Sequence, residues 1–434
     1  MTRTMQPAVA SGSIRAPASK SSMQRAVACA LLAEGESALR SPSLSADCLA
    51  ALEVARALGA RVESGPGAVR VGGAPGALLS GSGELSLPCG ESGLCIRMFS
   101  SIAALRPGRT ELAARGSLAR RPVGMAAGPL EALGARCATQ NGLPPLRIEG
   151  PLRGGRALVD ASASSQFLTG LLVALPLAPG DSILEVGGLA SGGYVELTLD
   201  TMRAFGVEVE RSAGERGPSF RIEGRRRYAA ADFEVEGDWS GAAFLLVAGA
   251  IAGRPGGAGL SVEGLSLGSS QPDRGILEAL RDAGARVEAS ERSIRVGPAE
   301  GELRAFSFDA RDRPDLFPPL VALAARCEGR SSIRGVSRLR DKESDRAAAL
   351  SLEFAKLGVE ATVDGDVMRV EGAARRQGTV EEARVDSHGD HRIAMAAAVH
   401  ALAGLGAVGI DGADCVSKSW PSFFEDLGSV SSPR

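Results

Sequence analysis

Between Arg338 and Arg346 the chain reads Arg-Leu-Arg-Asp-Lys-Glu-Ser-Asp-Arg. Lys342, Glu343 and Arg346 in so dense a run read in two ways. They are a solvated helix start braced by local charge pairs, or a proton-transfer pair beside an anion clamp. Shortly before it, Arg313-Pro314-Asp315-Leu316 puts a carboxylate at the opening of an apolar stretch. Shortly after it, Asp386-Ser387-His388-Gly389-Asp390-His391-Arg392 holds two of the three histidines. No cysteine is near and Arg392 would repel a cation, so no metal site is expected there. Near the N-terminus, Lys20 precedes an apolar run and Arg25 lies about one turn inside it. Two cations there oppose the positive end of the helix dipole, and a bound anion resolves the conflict. The plain alternative is a solvated basic turn. Ser164-Ser165-Gln166 and Ser191-Gly192-Gly193-Tyr194 offer hydroxyls and an amide at two further helix starts, good for phosphate and equally good for capping. The Gly90–Arg97 loop, with Gly93, and the tandem Arg120-Arg121 before Pro122 complete the set; paired arginines suit bidentate anion binding.

These residues need elements to position them. Ala-Leu-Gly-Ala or a close variant ends a helix at Gly59, Gly134, Gly206, Gly284 and Gly358, with a weaker copy at Gly428. Glycine suits the left-handed residue just past a helix. Two short strands around a turn follow, as in Arg286–Glu288 and Ser293–Val296. An alternating pattern runs from a polar loop into an Ala/Leu-rich helix, at residues 21–35, 92–108, 164–180, 238–253, 315–329 and 390–406. Those helices are apolar on nearly all faces and are expected to be buried. The period of about 70–78 residues therefore reads as six β-α-β-α-β-β units in an α/β fold, three to a domain.

The composition is that of a globular protein, with 44% hydrophobic and 23% charged residues. Net charge is −2, so no global field favours nucleic acid or an anionic membrane. Seven cysteines without a CxxC pair point to a reducing compartment. Only Lys20, Lys342, Lys356 and Lys418 are lysine, against 45 arginines. A lysine that survives such a bias is a candidate for chemistry, although Lys356, inside Leu352–Leu357, reads as a chance survivor.

In order, Lys20-Ser21-x-x-x-Arg25, Ser164-Ser165-Gln166, Pro314-Asp315, Lys342-Glu343-x-x-Arg346, Asp390-His391-Arg392 and Lys418 resemble the enolpyruvyl transferase family, and within it the EPSP synthases. The resemblance covers nearly the whole chain. It implies the two-lobe inside-out α/β barrel of that family, with three βαβαββ units per lobe. One lobe would span residues 19–235, and the other residues 1–18 and 236–434, with the active site in the cleft between them. It also implies transfer of the enolpyruvyl group of phosphoenolpyruvate to the 5-hydroxyl of shikimate 3-phosphate, a step toward chorismate and the aromatic amino acids. A cytoplasmic monomer without metal or organic cofactor is expected.

The resemblance also implies roles. Asp315, with Lys342, handles the hydroxyl proton, Glu343 serves the phosphoenolpyruvate carbon, and Lys20 contacts both substrates. Shikimate 3-phosphate is bound by Ser21, Arg25, Ser164, Ser165, Gln166, Ser191, Tyr194 and Arg338. Phosphoenolpyruvate is bound by Arg121, Gln166, Arg346, Arg392 and Lys418, with Gly93 leaving room for its phosphate. Glu91, Leu94, Arg338 and Gly192-Gly193 depart from the residues usual in the family. Two other readings stand beside this one. The sister transferase acting on UDP-N-acetylglucosamine usually carries a cysteine in the loop that is Gly116–Arg121 here. A non-catalytic anion-binding protein on the same repeats would not need the acid–base pair.

Overall fold

The computed structural model describes residues 1–372 and 382–433, so the expected span 236–434 includes residues 373–381 and 434, which lie outside the described residues. The repeat in the sequence becomes a repeated sheet. Strand Gly155–Asp160 runs parallel to Ser182–Gly187, with the Gln166–Ala174 helix between them in sequence. Pro218–Ile222 lies antiparallel to Ser182–Gly187, and Glu210–Ala213 antiparallel to Pro218–Ile222. One parallel and two antiparallel neighbours recur for Glu84–Pro88, Arg109–Ala113, Leu143–Glu149 and Arg136–Gln140. They recur again for Ser307–Asp309, Gly329–Arg334, Val367–Gly372 and Glu360–Asp364. Two further copies take their first strand from far along the chain: Asp232–Glu234 joins Glu36–Arg40, and Gly12–Arg15 joins Leu260–Glu263.

The last copy differs. Ala383–Asp386 lies parallel to Val408–Asp411, but the antiparallel neighbour of Val408–Asp411 is the N-terminal strand Thr2–Met5. This explains one failed expectation. Gly59, Gly134, Gly206, Gly284 and Gly358 each stand two residues beyond a helix with positive φ. Gly428 instead lies inside the Phe423–Ser429 helix without positive φ. The strand that follows, Ser431–Pro433, pairs with Ala8–Ala10 rather than closing a hairpin of its own.

The chain forms two compact units, Ala18–Val235 and Met1–Pro17 with Glu236–Arg434. Each has its own apolar core. In the first, the buried helices are Lys20–Leu32, Gly93–Ala103 and Gln166–Ala174; in the second, Trp239–Ala252, Phe317–Ala324 and His391–Leu402. Burial on all sides is why these segments carry no polar stripe. Small residues let them approach closely. A Cβ on Gly170 would stand 2.5 Å from the Met98 carbonyl oxygen, so glycine is required where the Gly93–Ala103 and Gln166–Ala174 helices meet. Side chains cap four of these six N-termini, while the Gln166–Ala174 and Phe317–Ala324 helices have no side-chain cap bond. Ser19 accepts from Ser22 N, Ser92 from Cys95 N, Asp238 from Ser240 N and Gly241 N, and Asp390 from Arg392 N. Among the described residues no helix is long and apolar enough to cross a membrane.

Candidate active site

Each unit holds one set of the chemistry-bearing residues. In the Ala18–Val235 unit, Lys20 begins the first buried helix and its Nζ lies 2.8 Å from Asp47 Oδ2. Both side chains are largely buried. One turn on, Arg25 is 2% exposed. Its guanidinium donates to Thr198 Oγ1 at 2.9 Å, Ser21 O at 2.8 Å, Tyr194 O at 3.1 Å and Thr169 Oγ1 at 3.4 Å. All four acceptors are neutral. Burial pulls the Arg25 pKa down to about 10, which leaves it charged at neutral pH. A buried cation bonded only to neutral oxygens favours an anion nearby, whereas Lys20 at the same helix start is already matched by Asp47.

Gly93 opens the second buried helix behind the Ser92 cap. A Cβ at Gly93 would stand 2.9 Å from Arg121 Nη1 and 3.0 Å from Arg97 Nη1, so glycine lets two guanidinium groups meet at the helix N-terminus. Arg97 donates to Gln166 Oε1 at 2.7 Å and to Pro122 O at 2.8 Å. That bond fixes the carbonyl end of the Gln166 amide, so its NH2 remains to serve a ligand oxygen. Ser164 Oγ accepts from Gln166 N, and Ser165 is buried at the head of the same helix. Ser191 takes a left-handed conformation, φ 59°, just before the Gly192–Ala204 helix that carries Tyr194. The Tyr194 ring lies 5.8 Å from the Arg25 guanidinium carbon. Glu91 accepts from the Ser117 amide and hydroxyl at 3.1 and 3.0 Å and braces the loop leading to Arg121.

In the other unit the centre is Arg346, 1% exposed at the start of the Arg346–Lys356 helix. It donates to Asp315 Oδ1 at 2.8 Å, Glu343 Oε2 at 2.7 Å and Asp390 Oδ2 at 2.8 Å. A guanidinium, with five donors spread over a rigid planar fork, suits three carboxylates that approach from different sides. Arg392 Nη2 reaches Asp315 Oδ2 at 3.2 Å. Lys342 Nζ stands 3.9 Å from Asp315 Oδ1, and Lys418 Nζ 3.9 Å from Glu343 Oε1. Asp315 sits in the turn Pro314–Leu316 and is 24% exposed. Arg338 is half-buried, and burial lowers its pKa against the opposing pull of Asp312 and Asp315. Among the described residues no group of three or more His, Cys, Asp or Glu is placed to hold a metal ion.

Burial would raise the Asp315 carboxyl, but Arg392, Lys342 and Arg346 outweigh it and hold the group well below the usual carboxylate range. A folded pKa below the unfolded value of about 4 adds stability above that pH and loses it as the pH falls toward the depressed value. Asp315→Asn should therefore melt below wild type at pH 7, with a smaller gap at pH 3, by calorimetry. A gap independent of pH would contradict this assignment.

The motif residues thus fall into two groups. Lys20, Ser21, Arg25, Gly93, Arg121, Ser164, Ser165, Gln166, Ser191 and Tyr194 lie in one unit; Asp315, Arg338, Lys342, Glu343, Arg346, Arg392 and Lys418 lie in the other. The sequence reading missed Asp47, Arg97 and the carboxylate of Asp390. Arg97 left a signal, a lone arginine inside the apolar run Gly93–Ala103. Asp47 left none, because an aspartate in a first helical turn reads as ordinary dipole compensation.

The family model for EPSP synthase (3-phosphoshikimate 1-carboxyvinyltransferase) matches residues 5–427. A 3-phosphoshikimate 1-carboxyvinyltransferase of Aeropyrum pernix is 41% identical over 426 residues, covering 98% of this chain and 94% of its own length. One from Methanothermobacter thermautotrophicus is 39% identical over 419 residues, covering 96% and 95%. The EPSP synthase structure from Acinetobacter baumannii superposes with a TM-score of 0.79 at 26% identity, covering 100% of this chain and 98% of that one. The enolpyruvyl transferase NikO from Streptomyces tendae, at 18% identity and a TM-score of 0.75 over 98% and 96%, shares the fold. With a family match over nearly the whole chain and relatives about two-fifths identical over the same span, this chain belongs to the EPSP synthase family.

Proposed function

We propose that this chain transfers the enolpyruvyl group of phosphoenolpyruvate to the 5-hydroxyl of shikimate 3-phosphate and releases inorganic phosphate. This is the step of the shikimate pathway that leads toward chorismate and the aromatic amino acids. The observation that carries it is the Arg346 network, which holds Asp315 and Glu343 on one guanidinium with Lys342, Arg392 and Lys418 around them. Two carboxylates among four cations can move protons and hold an anion in one place. The two clusters serve the same pair of substrates. Arg25, Ser21, Ser164, Ser165, Ser191, Tyr194 and Arg338 bind shikimate 3-phosphate. Arg121, Gln166, Arg346, Arg392 and Lys418 bind phosphoenolpyruvate, and Lys20 touches both.

In the addition, the 5-oxygen attacks carbon 2 of phosphoenolpyruvate. Its proton goes to Asp315, with Lys342 beside it, and Glu343 delivers a proton to the methylene carbon, which becomes a methyl group. In the elimination, the bond from carbon 2 to the phosphate oxygen breaks, Asp315 returns its proton to the departing phosphate, and Glu343 takes a proton back from the methyl group. Phosphoenolpyruvate brings its own leaving group, so these steps call on no cofactor. Asp315 is a weak base while Arg346 and Arg392 hold it. The phosphate and carboxylate of phosphoenolpyruvate compete for those cations, loosen the carboxylate and raise its pKa toward the ordinary value.

A methyl intermediate has a direct signature. In D2O, the enolpyruvyl methylene of the product should acquire deuterium, read by proton NMR or mass spectrometry. A product that keeps both original hydrogens would contradict addition followed by elimination. Gly93→Ala gives a second test. Its methyl would press on Arg121 and Arg97, so KM for phosphoenolpyruvate should rise about tenfold or more with KM for shikimate 3-phosphate little changed. Equal KM values for wild type and variant would remove Gly93 from the site. The chain is proposed to act as a cytoplasmic monomer, with a mass near 44.4 kDa by light scattering.

A further inference from the structure

Glu353 is a carboxylate that this mechanism does not use. It lies on the Arg346–Lys356 helix with 1% side-chain exposure. Its Oε2 accepts from Asp386 N at 2.8 Å, and its Oε1 lies 2.8 Å from His388 Nε2. Lys356 Nζ adds contacts of 2.9 and 2.7 Å to the two oxygens. Lys356, read from the sequence as a chance survivor, thus neutralises a buried carboxylate.

Glu353 stands seven residues after Arg346, two turns along the same helix face. Both residues grip one short segment. Arg346 holds Asp390 at its far end, and Glu353 holds Asp386 and His388 at its near end. Between the two grips the backbone makes a tight turn through two left-handed residues, His388 at φ 53° and Gly389 at φ 68°. The Asp386 carboxylate accepts from His388 N, and Asp390 N donates to Ser387 O. Asp390 then caps the buried His391–Leu402 helix, whose second residue, Arg392, reaches Asp315. The pose of this turn therefore sets Asp390, and through it both Arg346 and Arg392.

We propose that Glu353 is a positioning residue for the phosphoenolpyruvate half of the site, with His388 as the side chain through which it holds the Asp386–Asp390 turn. This rests on the reading of Arg346 and Arg392 as phosphoenolpyruvate ligands. Fixing a binding group through a well-bonded outer partner is a general way to keep it in its productive pose.

Steady-state kinetics of the full chain test it with His388→Ala, His388→Gln and Glu353→Gln. His388 is partly exposed, so its variants should fold, and alanine and glutamine carry the same backbone cost at positive φ. They differ in whether an N–H can reach Glu353. His388→Ala should raise KM for phosphoenolpyruvate about fivefold to tenfold, with kcat and KM for shikimate 3-phosphate within about twofold of wild type. His388→Gln should restore most of the loss, and Glu353→Gln should move the same KM in the same direction. If Glu353→Gln does not fold, the two His388 variants still decide. A His388→Ala enzyme that melts lower but keeps both KM values would reduce the cluster to a structural role and overturn the proposal. Equal losses in the alanine and glutamine variants would overturn the hydrogen bond as its cause. Wild type that releases no phosphate with these two substrates would overturn the functional reading beneath it, and is told apart from the other outcomes because no variant is needed to see it.

Discussion

Asp315→Asn should lower kcat by about 10²–10⁴, the usual worth of a positioned acid–base group, while leaving KM for phosphoenolpyruvate unchanged or lower. The second half of that expectation separates it from a plain binding defect. Asp315 takes one oxygen of its carboxylate to Arg346 and the other to Arg392. It therefore competes with phosphoenolpyruvate for both cations. Asparagine keeps the shape and gives up the charge, so the cations become more available to the substrate while the proton acceptor is lost. A fall in kcat with steady or improved KM identifies a group acting in the transition state. A rise in KM for phosphoenolpyruvate with normal kcat would make Asp315 a binding residue instead.

Arg346→Met should cost the unit that contains it about 3–5 kcal/mol, because removing one partner of a buried ion cluster leaves charges without compensation. Asp390 has no exposure and Glu343 has 10%, so neither can be rescued by water. For a unit of some two hundred residues this corresponds to a fall in melting midpoint of roughly 10 °C. Activity should fall with it, since Asp315, Glu343 and Asp390 would then repel one another. Arg346→Lys should be intermediate: it restores the charge but not the fork that bonds all three carboxylates. Melting curves of wild type and the two variants measure the order directly. A methionine variant as stable as wild type would show that the network does not hold the site together.

Much of this was legible in the sequence because the fold repeats. The five glycines from Gly59 to Gly358 mark helix ends through a local rule, the left-handed residue that follows a helix. The apolar character of Trp239–Ala252 and His391–Leu402 reports their burial just as locally. Gly428 misleads because the strand that completes the last sheet is Thr2–Met5, at the opposite end of the chain. No local rule reports a partner some four hundred residues away. The site divides along the same line. Arg25 and Asp315 are visible because their charge conflicts with a helix end or an apolar run. Asp47 and Glu353 are not, because each is one ordinary acid on a helix and gains its meaning from a partner elsewhere in the fold, Lys20 for one and the Asp386–His388 turn for the other. Lysine scarcity pointed to Lys20, Lys342 and Lys418, which lie beside Asp47, Asp315 and Glu343; Lys356, read as a chance survivor, likewise meets a carboxylate, Glu353, three residues away.

The most direct measurement is phosphate release from phosphoenolpyruvate by the purified chain, with shikimate 3-phosphate in one reaction and UDP-N-acetylglucosamine in another. Release only with shikimate 3-phosphate is the expected result. Release only with the nucleotide sugar would contradict the substrate assignment, and no release with either would contradict the enzymatic reading as a whole.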